Sequence, residues 1–81
     1  MLKVHILTPE QKLFEGSAES VTLPGVGGKF QVLNNHAPIV AALERGEVVV
    51  GTGKEKKSFA IQSGFIEVLK NNVNVLVQSA E

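Results

Sequence analysis

The 81-residue sequence contains no cysteine, tryptophan, tyrosine or aspartate. Without cysteine, a disulfide bond, a thiolate nucleophile and a cysteine-ligated zinc site are all excluded. Without aspartate, the Asp-rich calcium-binding loop and any catalytic pair that uses an Asp carboxylate are excluded. Four phenylalanines are the only aromatic residues, and they supply little stacking surface for the bases of a single-stranded nucleic acid.

Charge and hydropathy exclude further classes. Eight Lys and Arg residues balance eight Glu residues, so the formal net charge is zero and nucleic acid or anionic lipid has no basic surface to attract it. The longest run without a polar side chain, Ala37 to Leu43, has seven residues, whereas a membrane-spanning helix needs about 20. The N-terminus lacks the basic and apolar regions of a signal peptide. We therefore expect neither nucleic-acid binding nor direct membrane insertion.

What the chain does contain is the alternation of apolar and polar residues that is typical of β-strands. Val, Leu, Ile and Phe make up 28 of the 81 residues, and the length favours a single domain that spans residues 1–81. Apolar and polar residues alternate in short segments, as in Leu2, Val4 and Ile6. Turn signals such as Pro24-Gly25 and Asn71-Asn72 separate these segments. The pattern predicts an all-β fold, a flattened sandwich or barrel of short strands.

The alternation changes parity between Ile61 and Ile66, which predicts a bulge or bend at Ser63-Gly64. Several apolar residues fall on the outer side of their strands, two of them (Phe65 and Leu69) because of this change and two because they are off-parity within their own strands. These residues are Leu33, Phe65, Leu69 and Leu76. Either they pack locally under loops, or they form an apolar surface for a partner.

His36 is the most conspicuous candidate for chemistry, because it stands in Asn34-Asn35-His36-Ala37-Pro38, directly before the apolar run. A general base would need a nucleophile, and no serine lies in a motif such as Gly-x-Ser-x-Gly. A metal site would have only His5 as a second histidine. Since Pro38 forces Ala37 to be extended and an imidazole can bond a nearby carbonyl, an ordered loop is favoured, and a docking surface is compatible with it. We predict no catalytic residue, metal site or cofactor site.

The glycine cluster Gly25-Val26-Gly27-Gly28 has a phosphate-binding interpretation and a turn interpretation. A phosphate cradle needs a following helix or a Lys-Ser/Thr pair. Here the alternating segment Lys29 to Val32 follows, which is typical of a strand. The cluster therefore predicts a turn between two strands.

Several motifs, taken in order, resemble the N-terminal β-domain of the epsilon subunit of F-type ATP synthase, which is called delta in mitochondria. They are LTPEQKLFEG (7–16), VTLPG (21–25), GKFQVL (28–33), HAPIV (36–40), LERG (43–46) and FAIQSGFIEV (59–68). Each motif alone is weak, but their order and spacing cover nearly the whole chain.

The resemblance implies a β-sandwich of roughly ten short strands and a non-catalytic subunit of the central stalk. Such a subunit couples proton flow to ATP synthesis carried out elsewhere, at the cytoplasmic face of the inner (plasma) membrane. Its partners are the gamma subunit and the polar loops of the c-ring. By motif position, the gamma-binding residues are Thr8, His36, Ala37, Pro38 and Ala41. By the same reasoning, the c-ring-binding residues are Val26, Gly27, Gly28 and Lys29.

The sequence departs from the family pattern at its end, since it stops at Glu81. Most bacterial members continue into two C-terminal helices that regulate ATP hydrolysis and in some cases bind ATP, so neither property is carried over. The initial Met1 and an end after a complete-looking strand favour a natural short form over a fragment. The alternative function is a free-standing binding module for a peptide or a sugar, for which four phenylalanines give few aromatic contacts.

Overall fold

The structure, a computed structural model, describes residues 1–80. It contains eight strands: β1 (Leu2–Leu7), β2 (Lys12–Ala18), β3 (Ser20–Gly25), β4 (Gly28–Leu33), β5 (Ile39–Leu43), β6 (Gly46–Thr52), β7 (Glu55–Leu69) and β8 (Asn72–Ser79). Residues 1–80 include no helix that is long and apolar enough to cross a membrane. The prediction of an all-β fold is confirmed.

The strands pair in the order β2-β1-β8-β7-β5-β3-β4, and β6 pairs with β3 and β7. Strand β7 belongs to two layers, because residues 55–61 pair with β6 while the following residues pair with β5 and β8. We call β2, β1, β8, the second half of β7 and β5 the front sheet. The first half of β7 together with β6, β3 and β4 forms the back sheet. The resemblance implied roughly ten strands, and residues 1–80 form eight, of which β7 passes through both sheets without a break.

The bend predicted at Ser63-Gly64 is present in β7, one residue earlier, at Gln62 and Ser63. The pairing register with β8 shifts between Ile61 and Ser63, and Gln62 and Ser63 are both exposed. Two consecutive outward residues reverse the parity of the strand. Ile61 and Ile66 are therefore both fully buried, although an unbroken alternation would place them on opposite faces.

The core lies between the two sheets and is rich in β-branched side chains, which suit the pleated, half-buried surface of a sheet. The buried residues are Leu2, Val4, Ile6, Ala18, Val21, Leu23, Val32, Leu43, Val48, Val50, Ile61, Ile66, Val68, Val73, Val75 and Val77. Burying one Val, Leu or Ile side chain stabilises a fold by about 1.5–3 kcal/mol. Within residues 1–80 no polar side chain is buried with them.

An aromatic contact connects the edge of the front sheet to the back sheet. The ring of Phe14 on β2 meets the ring of Phe59 on β7 edge to face, with centroids 6.0 Å apart. The ammonium of Lys57 lies 5.7 Å from the centroid of Phe14, within range of a cation–π interaction. These contacts cover the core at the side where β2 ends the front sheet.

Gly64 allows β7 and β8 to approach closely just after the bend. A Cβ at this position would overlap the carbonyl oxygen of Leu76 and lie 2.9 Å from the Cα of Val77. Both obstacles are backbone atoms that cannot rotate away. We expect Gly64→Ala to lower the free energy of unfolding by about 1–3 kcal/mol, the usual cost of overpacking, as measured by urea denaturation.

Gly27→Ala is the matched control, because no atom lies within 4 Å of a Cβ there. Its free energy of unfolding should stay within about 0.5 kcal/mol of the original, as for most surface changes. Equal losses in the two variants would show that the close approach at Gly64 does not limit stability.

Candidate docking face and its flanking loops

An exposed row of apolar side chains crosses the outer surface of the front sheet. Leu7 pairs with Leu76, Leu76 with Phe65, and Phe65 with Ala42, and we call these four residues the apolar row. Phe65 is 51% exposed and Leu76 is 42% exposed. Neighbouring strands lie about 4.8 Å apart, so the row extends across roughly 14 Å. Contiguous exposed apolar surface of this kind is typical of a site that binds a partner.

A second, mostly polar row runs beside it. Val40, which is 74% exposed, pairs with Glu67, Glu67 with Asn74, Asn74 with His5 and His5 with Glu15. Apolar side chains with polar neighbours at their margin match the anatomy of protein interfaces, which have an apolar centre and a polar rim. The outer surface of the front sheet therefore has the composition of a protein-binding face.

One end of the apolar row adjoins the turn after β1. An open depression of about 680 Å³ there is lined by Leu7, Thr8, Pro9, Phe65, Leu76 and their neighbours. The hydroxyl oxygen of Thr8 accepts a hydrogen bond from the backbone N–H of Gln11 at 3.0 Å, and the N–H of Thr8 donates to the carbonyl of Gln11 at 2.8 Å. These bonds close a turn over residues 8–11 and hold Thr8 at the rim of the depression.

The loop that contains His36 lies where β5 begins. The backbone N–H of His36 donates to the carbonyl of Leu33 at 3.1 Å, and its Nδ1 lies 2.7 Å from the carbonyl oxygen of Ala37. The predicted bond between the imidazole and a nearby carbonyl is confirmed. Ala37 and Pro38 are exposed, and His36 is partly buried. The loop thus presents an ordered surface beside the turn of Lys70 and Asn71, with which it lines a shallow groove.

The glycine cluster forms the tip of the β3–β4 hairpin, as the turn interpretation predicts. Val26, Gly27, Gly28 and Lys29 are all exposed, and Gly28 has a φ of 130° that side chains oppose. The N–H of Val26 donates to the carbonyl of Ala42 at 3.0 Å. This bond fixes the hairpin tip to the end of β5.

The residues predicted for partner binding therefore form separate groups around the front sheet. Thr8 and the hairpin tip lie at the end of the sheet where β5 finishes, and His36, Ala37 and Pro38 lie where it starts. Five residues of β5 separate the two ends, a length of roughly 17 Å at 3.3 Å per residue. Ala41 differs from the others, because it pairs with Ile66 and packs against the core.

Sequence reasoning did not assign Leu7, Val40 or Ala42 to a surface. Every residue from Ile39 to Leu43 is apolar, on both faces of the strand. Alternation therefore does not show which of these side chains face outward. The pairing of β5 with β7 decides it, since Val40 and Ala42 oppose the outward Glu67 and Phe65. For Phe65 the parity change was a usable signal, and for Leu76 the alternation within its own strand was. The predicted outer position of both residues is confirmed.

Charged side chains gather at the β1–β2 margin of the face. Glu15 bonds the ammonium of Lys12, and its other carboxylate oxygen lies 3.7 Å from Nδ1 of His5. The hydrogen bond and the charge of Lys12 hold the pKa of Glu15 below its usual range, against the opposing effect of desolvation, and His5 adds the smallest contribution to the lowering. Glu15 and Lys12 therefore form an exposed ion pair at this corner of the face.

The family model for the β-sandwich domain of the ATP synthase delta/epsilon chain matches residues 1–81. The chain belongs to this family. Among the curated members of the delta/epsilon family, the chloroplastic ATP synthase epsilon chain of Tetradesmus obliquus is 44% identical over 80 residues, covering 99% of this chain and 59% of that one. The ATP synthase epsilon chain of Gloeothece citriformis is 40% identical over 80 residues, covering 99% of this chain and 58% of that one. The chain thus spans about 59% of the length of these relatives.

Solved structures share the fold of this delta/epsilon family chain. A chain in the cryo-EM structure of the Euglena gracilis mitochondrial ATP synthase, OSCP/F1/c-ring, superposes with a TM-score of 0.88 at 20% identity, covering 94% of this chain and 49% of that one. A chain in the central stalk/c-ring structure of the Tetrahymena thermophila mitochondrial ATP synthase superposes with a TM-score of 0.80 at 19% identity. The match covers 96% of this chain and 63% of that one. At these identities the likeness establishes the β-sandwich fold.

The contact between Lys12 and Glu15 leads to a pH-dependent prediction. Because the pKa of Glu15 is lowered in the folded chain, the pair contributes stability above the pKa that Glu15 has in the unfolded chain. That contribution is lost as the pH falls through the lowered pKa. We expect Lys12→Met to raise the pKa of Glu15, as followed by NMR titration of its side-chain carboxyl carbon.

Lys54→Met removes the same charge from the β6–β7 turn and serves as the control. The pKa of Glu15 should hardly move in this variant, because exposed charges are screened over distance. A comparable rise in both variants would mean that net charge, and not the contact with Lys12, lowers the pKa.

Proposed function

We propose that this chain is a non-catalytic central-stalk subunit of an F-type ATP synthase. In this role it binds the gamma subunit and the c-ring and helps to couple proton flow to ATP synthesis at the catalytic subunits. The observation that carries the proposal is the apolar row on the outer surface of the front sheet, in a chain that belongs to the delta/epsilon family. The epsilon-chain names of its relatives support the same role.

The gamma subunit, in this proposal, covers the face between Thr8 and the His36 loop. Phe65, Leu76 and Val40 lie between these two ends and expose apolar area, whose burial would favour association by about 25 cal/mol per Å². Thr8, His36, Ala37 and Pro38 would contact gamma at the margins. Ala41 would support gamma binding indirectly. Its side chain packs against the core and would hold its neighbours Val40 and Ala42 in their outward positions.

The c-ring loops would meet the tip of the β3–β4 hairpin. Val26 and Lys29 offer one apolar and one cationic side chain there, while Gly27 and Gly28 leave the backbone accessible. Because Val26 is bonded to Ala42, which belongs to the apolar row, a rigid connection would join the two partner surfaces. The chain would then lie peripherally at the cytoplasmic face of the inner (plasma) membrane, as part of the complex.

The alternative of a free peptide- or sugar-binding module has less support. The depression beside Thr8 has the volume of a ligand site, but Phe65 is the one aromatic side chain among the described residues that line it. Binding sites for small ligands usually combine several aromatic or apolar walls with converging polar groups. The flat apolar row fits a protein partner better.

Phe65 provides the test of the docking face. We expect Phe65→Ala to raise the dissociation constant for the purified gamma subunit by at least about fivefold, because truncated interface aromatics often cost more than about 1 kcal/mol. The free energy of unfolding should change little, since the ring is half exposed in the free chain. Isothermal titration calorimetry and urea denaturation measure the two quantities.

Leu33→Ala is the matched control, because Leu33 is also 51% exposed but lies on the outer side of the back sheet, opposite Ser20. It should bind gamma like the unchanged chain. Equal weakening by both variants would contradict docking through the front sheet. Absence of gamma binding by the unchanged, folded chain would contradict the proposed function itself.

A further inference from the structure

The second central residue of the turn between β7 and β8 is an asparagine, which tolerates positive φ and also carries an amide side chain. Lys70 and Asn71 both have positive φ, 50° and 64°, which is the conformation of a two-residue type I′ hairpin turn. Glycine is favoured at the second central position, because it has no Cβ to oppose a positive φ. Asn71 holds that position, so the chain keeps an amide side chain where glycine would suit the backbone.

That side chain reaches a loop 36 residues away in the sequence. The Oδ1 of Asn71 accepts a hydrogen bond from the backbone N–H of Asn35 at 2.7 Å, and its Nδ2 lies 3.4 Å from the Oδ1 of Asn35. Asn35 also has a positive φ, 65°. The first bond is short and involves a backbone donor, so it constrains the chain path of the loop and not only a side chain.

The loop from Asn34 to Pro38 has few other attachments. It lies between β4 and β5 and takes part in no strand pairing. The two hydrogen bonds of His36 are local, to Leu33 and Ala37, and Pro38 has no N–H to donate. Within residues 1–80, the hydrogen bonds that connect this loop to a distant part of the chain are those with Asn71.

We propose that Asn71 is a positioning residue for the docking loop. By holding the N–H of Asn35, it fixes the residues that follow and keeps the surface of His36, Ala37 and Pro38 at the end of the front sheet where β5 begins. This inference rests on the proposed function, since it concerns the same gamma-binding face. A loop ordered in advance binds more tightly, because less conformational freedom is lost on association.

Asn71→Gly tests the proposal with little risk to the fold, since glycine suits the positive φ of the turn. Removing the acceptor should accelerate amide hydrogen exchange at Asn35, measured by NMR on the 81-residue chain, by on the order of tenfold or more. The affinity for the purified gamma subunit should fall roughly 3- to 10-fold, the range expected for one net hydrogen bond. The unfolding midpoint should stay close to that of the unchanged chain.

Two further variants separate positioning from a general effect on the turn. Asn71→Asp retains an acceptor oxygen and tolerates positive φ. Unlike Asn71→Gly, it should keep both the slow amide exchange at Asn35 and the gamma affinity of the unchanged chain. Lys70→Gly changes the other central turn residue and removes no bond to Asn35, so both readouts should match those of the unchanged chain.

Each outcome decides between the hypotheses. Unchanged exchange at Asn35 in Asn71→Gly would overturn the role of the amide in ordering the loop. Faster exchange with unchanged gamma affinity would overturn positioning and leave the proposed function intact. If the unchanged chain does not bind gamma at all, the proposed function fails, and positioning for gamma fails with it.

Discussion

The two-sheet architecture depends on the bend in β7. One strand supplies residues to both sheets, and the pair of outward residues Gln62 and Ser63 reverses its parity between them. This reversal keeps Ile61 and Ile66 in a common core. It also leaves Phe65 on the outer surface of the front sheet. The same local irregularity therefore completes the hydrophobic core and places the central residue of the apolar row.

The front sheet combines this surface with two anchored ends. At one end, Thr8 is held by its own turn and Val26 is bonded to Ala42. At the other, the His36 loop is bonded to Asn71. Backbone or turn hydrogen bonds fix each of these positions, so a small domain without disulfides offers a surface that needs little rearrangement. Such pre-ordering favours a structural and connecting role over one that needs moving parts.

The sequence was sufficient for the fold class, the bend and the turns, because parity, glycine and proline act locally. The same reasoning could not show which side chains of β5 face outward. Ile39 to Leu43 is apolar on both parities, and only the pairing with β7 shows that Val40 and Ala42 face outward while Ala41 faces inward. The contact between Asn35 and Asn71 was likewise hidden, since it joins two loops 36 residues apart. The partner residues assigned by motif position stay a proposal.

The parallel pairing of β1 with β8, the one such pairing among residues 1–80, has a mechanical consequence. These strands lie side by side and run in the same direction, so the start of β1 and the end of β8 lie at opposite ends of the pair. A force that pulls these two ends apart acts along the strands and loads all their inter-strand hydrogen bonds at once. Such bonds must break together, whereas those of a hairpin pulled from its open end separate one by one. Tension along the chain therefore meets its greatest resistance in the middle of the front sheet.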